Sequence, residues 1–260
     1  MIRLTFLLRR KPGASLEDFQ RDWRERHGPL VASLATTLRI RRYVQSHTLD
    51  DALAEAMRKA RGGMEEPHDG VAEVWWDSEA ALAEAAASEA GQRAAQALQD
   101  DEARFIDLPR SPMWLAHEHP QINPASDSLV ARPRSGLVKL IFPLRLRAEL
   151  GFEAGQLDWR TQHGPLIRSQ AMASGILRYI QVHRFASALE PGFRASRGVV
   201  VDAYDGHAEL WFDRARLSLA SPAGVEAARR AVQDERRFID FARSSIWLAH
   251  EHVLVDDAVG

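Results

Sequence analysis

The sequence predicts an α+β fold in which two tandem βαββαβ units pack their antiparallel sheets face to face as an intrachain pseudo-dimer. An internal repeat is the first reason for this prediction. WRERHGPL at Trp23–Leu30 returns as WRTQHGPL at Trp159–Leu166, and RYVQSH at Arg42–His47 returns as RYIQVH at Arg178–His183, each 136 residues later. The second reason is that apolar residues within one copy alternate between strand and helix periodicity in the order β, α, β, β, α, β.

The ends of the repeat set the domain boundaries. The peptides DEARFID and WLAHEH of the first half return as DERRFID and WLAHEH in the second. The two units are therefore predicted to span residues 1–119 and 136–253. Residues 120–135 contain three prolines together with Asn, Ser and Asp, which is the composition of a linker.

The first elements of the repeat are a strand and a helix. Leu4, Phe6 and Leu8 occupy alternate positions and predict the apolar face of a strand. Ser15 then predicts a helix N-cap, because acidic residues follow it in the first turn. The helix is expected to end at Gly28–Pro29, where the proline can open a second short helix.

The remaining elements complete the unit. Ile40–His47 and Val71–Trp76 alternate as strands, and Met113–His117 predicts the closing strand. The alanine-rich segment Ala80–Asp107 predicts a helix with a break near Gly91. This arrangement of four strands and two helices is ferredoxin-like, and it leaves one face of each sheet for the other copy to cover.

Composition excludes several classes of protein. Lys and Arg number 34 against 36 Asp and Glu, so the net charge of −2 provides no basic field for nucleic acid or anionic lipid. The chain has no cysteine, which excludes disulfides, iron–sulfur clusters and thiolate nucleophiles. No apolar run approaches the roughly 20 residues of a membrane span, and Met1–Lys11 lacks the cleavage region of a signal peptide. A cytoplasmic location is expected.

Strand parity predicts a set of ligand-binding residues. Tyr43, Gln45 and His47 share one face of their strand, and Glu73 and Trp75 share one face of the next. If the apolar faces meet the helices, these side chains point into the space between the sheets and surround a small molecule. Alternatively, they line a packed, hydrogen-bonded interface between the sheets. The second copy repeats the set as Tyr179, Gln181, His183, Glu209 and Trp211.

Two histidines are the first candidates for proton transfer. His27 and His163 lie in the last helical turn before Gly-Pro. A helix C-terminus favours imidazolium and burial favours neutral imidazole, so such a group can exchange protons near neutral pH. Alternatively, each histidine binds the terminal carbonyl groups of its helix. His47 and His183, at the ends of their strands, are the next candidates for a catalytic role.

Other motifs are interpreted structurally. His117–His119 and its copy His250–His252 each place two imidazoles on one strand face, but no third ligand is identified, so no metal site is predicted. Asp101–Glu102 and Asp234–Glu235 are interpreted as solvated acids or partners of nearby arginines, not as a catalytic pair. Glycine-rich phosphate loops, nucleophile elbows and HExxH motifs do not occur in the sequence.

The pattern RRKPGASLEDFQRDWRERHGPLV, then RYVQSH, then FID resembles the EthD family of dimeric α+β barrel proteins. The resemblance implies a barrel of two ferredoxin-like units and small, often aromatic substrates. Members include an accessory protein of ether degradation and fungal proteins that dehydrate or decarboxylate aromatic polyketide intermediates. The histidine of the family's His-X-Pro context falls on His27 and His163.

These observations predict a cofactor-independent enzyme that acts on a small ring compound by proton transfer, as a dehydratase or decarboxylase does. In this hypothesis His27 is the acid or base, and Tyr43, Gln45, His47 and Glu73 bind or polarise the substrate. One alternative is cofactorless oxygenation of an electron-rich substrate. Another is a non-catalytic ligand-binding protein of a degradation pathway. The sequence leaves open whether the fused unit dimerises further.

Overall fold

The computed structural model describes residues 1–125, 129–218 and 221–257. The strands are β1 (Ile2–Leu8), β2 (Arg42–Thr48), β3 (Gly70–Trp76), β4 (Met113–Ile122), β5 (Leu137–Leu144), β6 (Ile176–Arg184), β7 (Gly206–Asp213) and β8 (Trp247–Asp256). The α-helices are α1 (Leu16–Asp22), α2 (Gly28–Leu34), α3 (Ala52–Ala60), α4 (Glu79–Ala87), α5 (Glu89–Phe105), α6 (Phe152–Asp158), α7 (Gly164–Ser169), α8 (Ala171–Ser174), α9 (Glu190–Ser196), α10 (Arg214–Ser218) and α11 (Pro222–Glu235). Five-residue π-helical turns, Trp23–His27 and Trp159–His163, connect α1 to α2 and α6 to α7.

The eight strands of the described residues form one closed antiparallel barrel in the order β1-β3-β2-β8-β5-β7-β6-β4. The two longest strands close it, because each pairs with both halves of the chain. β4 pairs with β1 near its start and with β6 of the second half near its end. In the same way, β8 pairs with β5 and then with β2 of the first half. The predicted mixed fold of helices and antiparallel strands is confirmed.

The second short helix, α2, begins at Gly28 with Pro29 in its first turn, as predicted, but the helical backbone is not interrupted before it, so the expected stop is wrong. Ser15 caps α1 as expected, because its side chain accepts a hydrogen bond from the backbone N–H of Asp18. The chain then continues through the π-helical turn into α2, and the Gly28 N–H bonds the carbonyl of Trp23, five residues earlier. The π turn shifts the bonding pattern where Pro29 has no N–H to offer, so the helix can continue without a break.

The late helix breaks close to the predicted position. Ser88 is extended, and its side chain caps α5 by accepting from the N–H of Gly91. Glycine is required there, because a Cβ at Gly91 would lie 1.8 Å from the carbonyl oxygen of Ala85. Two helices were not predicted, namely α3 between β2 and β3 and its counterpart α9 between β6 and β7.

The barrel interior is filled by the side chains that alternate inward along the strands. Trp114 and Trp247 are fully buried there, next to Ile141 and Trp211. A packed core of described side chains therefore occupies the space between the sheets in which the sequence predicted a ligand pocket.

The outer face of the barrel carries the helices, and two of these cross between the halves. Leu189 and Phe193, at the start of and within α9 of the second half, pack on the core under the first-half helices. Reciprocally, Leu53 and Met57 of α3 pack on the core of the second half. Each half is thus covered partly by its own helices and partly by one from the other half.

None of the helices in the three described segments is long and apolar enough to cross a membrane.

Candidate active site

The polar residues predicted to share one space lie on opposite faces of the sheet. Tyr43, Gln45 and His47 of β2 face the helices: Tyr43 belongs to the core beneath them, and Gln45 bonds the backbone of the π-helical turn. Glu73 and Trp75 of β3 face the barrel interior, as predicted. The common orientation predicted for all five is therefore wrong. It failed because both faces of β2 carry buried polar side chains, so parity alone does not say which face meets the helices. In the second copy Tyr179, Gln181 and His183 also lie on the helix side, and Glu209 and Trp211 face inward.

A cavity of about 150 Å³ lies between the outer face of the first-half sheet and its helices. Apolar side chains of β1, β3, α2, α4 and α5 form most of its wall. Phe193 and Arg197 from the second half complete it. Among the described residues that line the cavity, five carry a polar side-chain group other than a tryptophan indole: His27, Tyr43, Gln99, Glu102 and Arg197.

His27 lies on the cavity wall in a hydrogen-bonded pair with Asp101. Its ring is 5% exposed, and Nδ1 lies 2.9 Å from Oδ2 of Asp101. The other carboxylate oxygen accepts a hydrogen bond from Nε of Arg26 at 3.1 Å. A carboxylate accepts from an N–H, so Nδ1 carries a proton, which leaves Nε2 as the ring nitrogen that can exchange one. Across residues 1–125, 129–218 and 221–257, Nε2 has no hydrogen-bond partner, so it is the nitrogen available to a ligand.

Tyr43 lies on the same wall as a hydrogen-bond donor. Its hydroxyl oxygen accepts from Nε1 of Trp23 at 3.0 Å and from Nε2 of Gln45 at 3.0 Å. With both lone pairs used, the hydroxyl proton can only be donated, and the residue lines the cavity. Burial raises the pKa of Tyr43, so the hydroxyl keeps its proton at neutral pH.

Gln45 and His47 hold this wall in place. Nε2 of Gln45 also donates to the carbonyl of Trp23 at 2.9 Å, and its Oε1 lies 3.0 Å from Nε2 of His47. The His47 ring stacks on the Trp23 indole with centroids 4.6 Å apart. Burial lowers the pKa of His47 well below its usual range, and the charges of His252 and Arg24 lower it further. His47 is therefore neutral and donates Nε2–H to Gln45.

The second half repeats the hydrogen-bonded pair. Nδ1 of His163 lies 2.9 Å from Oδ2 of Asp234. Burial raises the pKa of Asp234, but the hydrogen bonds from His163 and Arg237 outweigh this and lower it overall. The sequence had assigned Asp101 and Asp234 to solvent or to arginines. Their recurrence at equivalent positions of both copies was the signal that could have identified them as histidine partners.

The hydrogen bonds made by Gln45 and His47 in the first half recur in the second half. Nε2 of Gln181 donates to the carbonyl of Trp159 and to the hydroxyl of Tyr179, both at 2.9 Å. Nε2 of His183 lies 3.1 Å from Oε1 of Gln181, and its ring stacks on Trp159 at 4.2 Å. Burial lowers the pKa of His183 to about 3, so this ring is neutral as well.

The His-Glu-His segments divide between two environments. His252 lies 4.5 Å from His47 and His119 lies 4.6 Å from His183, measured between ring centroids. Glu118 and Glu251, between the paired histidines, bind cations inside the barrel. In the described part of the chain, no group of three or more His, Cys, Asp or Glu side chains is placed to hold a metal ion.

A buried ion cluster that no sequence motif predicts lies inside the barrel. Nη2 of Arg3 contacts Glu209 of the other half, and Nζ of Lys139 lies 2.7 Å from Oε1 of Glu73. Arg3 and Lys139 are equivalent positions, as are Glu73 and Glu209, so each cation binds across the halves. Burial lowers the pKa of His207, which contacts this cluster, to about 4. The sequence carries one signal for this cluster: Lys139 interrupts the apolar strand β5 at the position equivalent to Arg3 of the first copy.

The sequence model of the EthD domain matches the chain in two segments, residues 11–109 and 149–242. The chain belongs to the EthD family. The two EthD segments confirm both the resemblance and the tandem duplication inferred from the repeat. Each segment contains one histidine–aspartate pair, His27 with Asp101 and His163 with Asp234.

Solved structures resemble the EthD chain in fold. A candidate monooxygenase from Fusobacterium nucleatum subsp. nucleatum ATCC 25586 aligns with a TM-score of 0.53 and 5% identity, over 97% of this chain and 93% of that chain. A candidate monooxygenase from Lactobacillus acidophilus NCFM has a TM-score of 0.45 and 7% identity, over 98% and 95%. A mutant chlorite dismutase from Candidatus Nitrospira defluvii has a TM-score of 0.46 and 14% identity, over 97% and 92%. The first likeness supports the dimeric α+β barrel fold. Among proteins with curated functions, none matches the EthD chain in sequence.

Proposed function

We propose that this EthD chain is a cofactor-independent enzyme of small-molecule metabolism. It binds a small ring compound in the first-half cavity and transforms it by proton transfer at His27, as a dehydratase or decarboxylase does. The observation that carries the proposal is the position of His27 on the wall of a mainly apolar cavity, with Nδ1 bound to Asp101 and Nε2 available. A carboxylate that holds one ring nitrogen of a histidine orients the other nitrogen for general acid–base catalysis.

A dehydration illustrates the roles of the two polar groups. Nε2 of His27 takes a proton from the carbon next to a carbonyl group, and Asp101 stabilises the imidazolium that forms. The Tyr43 hydroxyl donates a hydrogen bond to the carbonyl oxygen, where negative charge develops. The electron pair then forms the carbon–carbon double bond, and the β-hydroxyl group leaves with the proton from His27 as water.

We also propose that the barrel is an intrachain pseudo-dimer of two ferredoxin-like units. The strand order supports this, because β4-β1-β3-β2 of the first half corresponds element by element to β8-β5-β7-β6 of the second. On this basis His163 is the equivalent acid or base of the second half, and Tyr179 its donor. His47 and His183 then position Gln45 and Gln181. Glu73, Trp75, Glu209 and Trp211 do not line the cavity and take no part in the proposed reaction.

Cofactorless oxygenation is the second candidate, and the same cavity favours it. A phenolic ring held among apolar side chains can be deprotonated by His27, which makes the ring electron-rich enough to react with oxygen. The two reactions differ in a simple measurement, because only oxygenation consumes dissolved oxygen. A ligand that is bound but recovered unchanged would instead indicate an accessory binding protein.

The test compares His27→Gln with His163→Gln, Tyr43→Phe and Asp101→Asn. An aryl β-hydroxyketone and 2,4-dihydroxybenzoate serve as probes of dehydration and decarboxylation, with product followed by absorbance and oxygen by electrode. In a His163→Gln background, which removes the equivalent acid or base of the second half, His27→Gln is expected to lower the rate by roughly 10²- to 10⁴-fold, because glutamine cannot exchange a proton. His163→Gln alone is the matched control and keeps the first-half chemistry. Turnover that is the same in the double variant as in His163→Gln, in a folded protein, would refute the proposed role.

A further inference from the structure

Among the described residues of the first-half cavity, one polar side chain is neither used by the proposed reaction nor paired with another residue. Gln99 lies on the face of α5 that lines the cavity, together with Ala95, Leu98 and Glu102. Glu102 is already paired, because its carboxylate accepts from Nε and Nη2 of Arg197 at 2.6 and 3.0 Å. The Gln99 side chain, in contrast, makes no hydrogen bond to any other residue that the structure describes. Its amide therefore offers one acceptor and two donors to a ligand.

Gln99 is separated from the acid–base group along the helix. His27 contacts α5 at Asp101 and at Phe105, where the ring centroids are 5.5 Å apart. These contacts lie on average about one turn further along α5 than Gln99, which corresponds to roughly 5.4 Å along the helix axis. A ring that presents one oxygen to His27 and Tyr43 can present a second oxygen to Gln99 from another side.

The second copy provides a natural comparison. The position equivalent to Gln99 is Val232, on α11, whereas the neighbouring acids are kept as Asp234 and Glu235. The histidine–aspartate pair thus recurs without the carboxamide. Gln99 is therefore separable from the proton-transfer machinery and specific to the first-half cavity.

We propose that Gln99 determines the ligand specificity of the first-half cavity by binding a second oxygen function of the ring compound. The preferred ligand class is a ring with two hydroxyl or carbonyl oxygens on different sides, one for His27 and Tyr43 and the other for Gln99. This inference rests on the proposed function only in placing a ring compound in the cavity. When an apolar edge of a ligand displaces water from the Gln99 amide, the lost hydrogen bond lowers the affinity. A ligand with an oxygen at that position replaces the lost hydrogen bond and binds more tightly.

The experiment measures binding, without turnover, of phenol, resorcinol and hydroquinone. Calorimetry and quenching of tryptophan fluorescence give Kd, since Trp23 and Trp76 line the cavity. The wild type is expected to bind the better dihydroxy ligand about two- to ten-fold more tightly than phenol, the effect of one hydrogen bond. Gln99→Val, which introduces the second-half residue, is expected to abolish this preference, and phenol should bind at least as tightly as in the wild type because no unpaired amide is left beside it. Gln96→Val, an exposed site on the same helix, is the control and keeps the preference.

Several outcomes would overturn the inference. These are equal loss of all three ligands in Gln99→Val, a preference that survives the substitution, no preference in the wild type, and no binding of any ligand by a protein with native circular dichroism. The outcome for His27 is independent. A Gln99-dependent preference, combined with turnover that His27→Gln leaves unchanged in the His163→Gln background, would refute the acid–base proposal and leave the specificity role of Gln99 standing.

Discussion

Replacement of Arg3 by methionine is predicted to destabilise the whole barrel. The Arg3 side chain is 1% exposed, and its guanidinium reaches three carboxylates. Nη1 lies 2.9 Å from Glu118, and Nη2 lies 3.2 Å from Glu73 and also contacts Glu209. Methionine keeps the packing of the side-chain stem but leaves this acidic group with Lys139 as the cation that bridges Glu73 and Glu209.

The magnitude follows from the cost of an uncompensated buried charge. Removing one partner of a buried ion pair costs about 3–5 kcal/mol. In a chain of this size, about 1 kcal/mol shifts Tm by roughly 2–4 °C, so the expected decrease is roughly 6–20 °C. Urea unfolding followed by tryptophan fluorescence gives the free energy of unfolding, and calorimetry gives Tm.

The destabilisation caused by Arg3→Met is also expected to depend on pH. Burial raises the pKa of Glu209, but Arg3 and Lys139 outweigh burial and hold it well below its usual range. A depressed folded-state pKa contributes stability above the unfolded value of about 4.3 and loses it as the pH falls through the folded value. Without Arg3 this contribution shrinks, so wild type and variant should differ most at neutral pH and converge in acid.

The control is Arg93→Met, which removes an ion pair with Glu89 whose side chains are 73% and 88% exposed. Exposed pairs of this kind contribute about 0.3–0.5 kcal/mol, so Tm should barely change. The assignment of Arg3 as an interior counter-ion would be refuted by a loss below about 1 kcal/mol, or by a loss equal to that of Arg93→Met.

Three further variants test local features. Gly70→Ala places a Cβ 2.4 Å from the indole of Trp23 and should cost about 1–3 kcal/mol by urea unfolding; a neutral result would contradict the close approach. Ser88→Ala removes the cap of α5 and should lower the free energy of unfolding by about 1 kcal/mol, an effect that Ser88→Asn should not produce. Asp101→Asn removes the carboxylate that holds Nδ1 of His27, so the rate of probe turnover should fall; an unchanged rate would exclude this positioning role.

The repeat made most of the fold predictable, because two copies of each pattern reinforce one another. Strand positions and the cap at Ser15 follow from local periodicity and capping chemistry, which the sequence displays directly. The continuous helix through Gly28–Pro29 was not predictable in this way, because a π-helical turn accommodates the proline. Helices α3 and α9 were missed because they pack on the opposite half, and a periodicity search within one half does not reveal what an apolar face will meet.

The candidate site was predictable in its residues more than in its location. His27 and Tyr43 were selected from motif and parity, yet the cavity lies beneath the helices and not between the sheets. The partner of His27 could not be read locally, because Asp101 is 74 residues away and the two meet only when α5 packs against the π-helical turn. Gln99 carries no motif, and its relevance follows from the cavity wall alone.

Carrying both copies on one polypeptide has a consequence for how such a barrel can diversify. In an assembly of identical chains every substitution appears twice, so a polar group gained at one cavity is imposed on the other. In this chain Gln99 of the first copy corresponds to Val232 of the second, and His207 of the second copy corresponds to Val71 of the first. Covalent linkage allows one copy to acquire its own ligand specificity while the other copy supplies structural support. Arg197 of the second half gives such support, because it pairs with Glu102 at the wall of the first-half cavity.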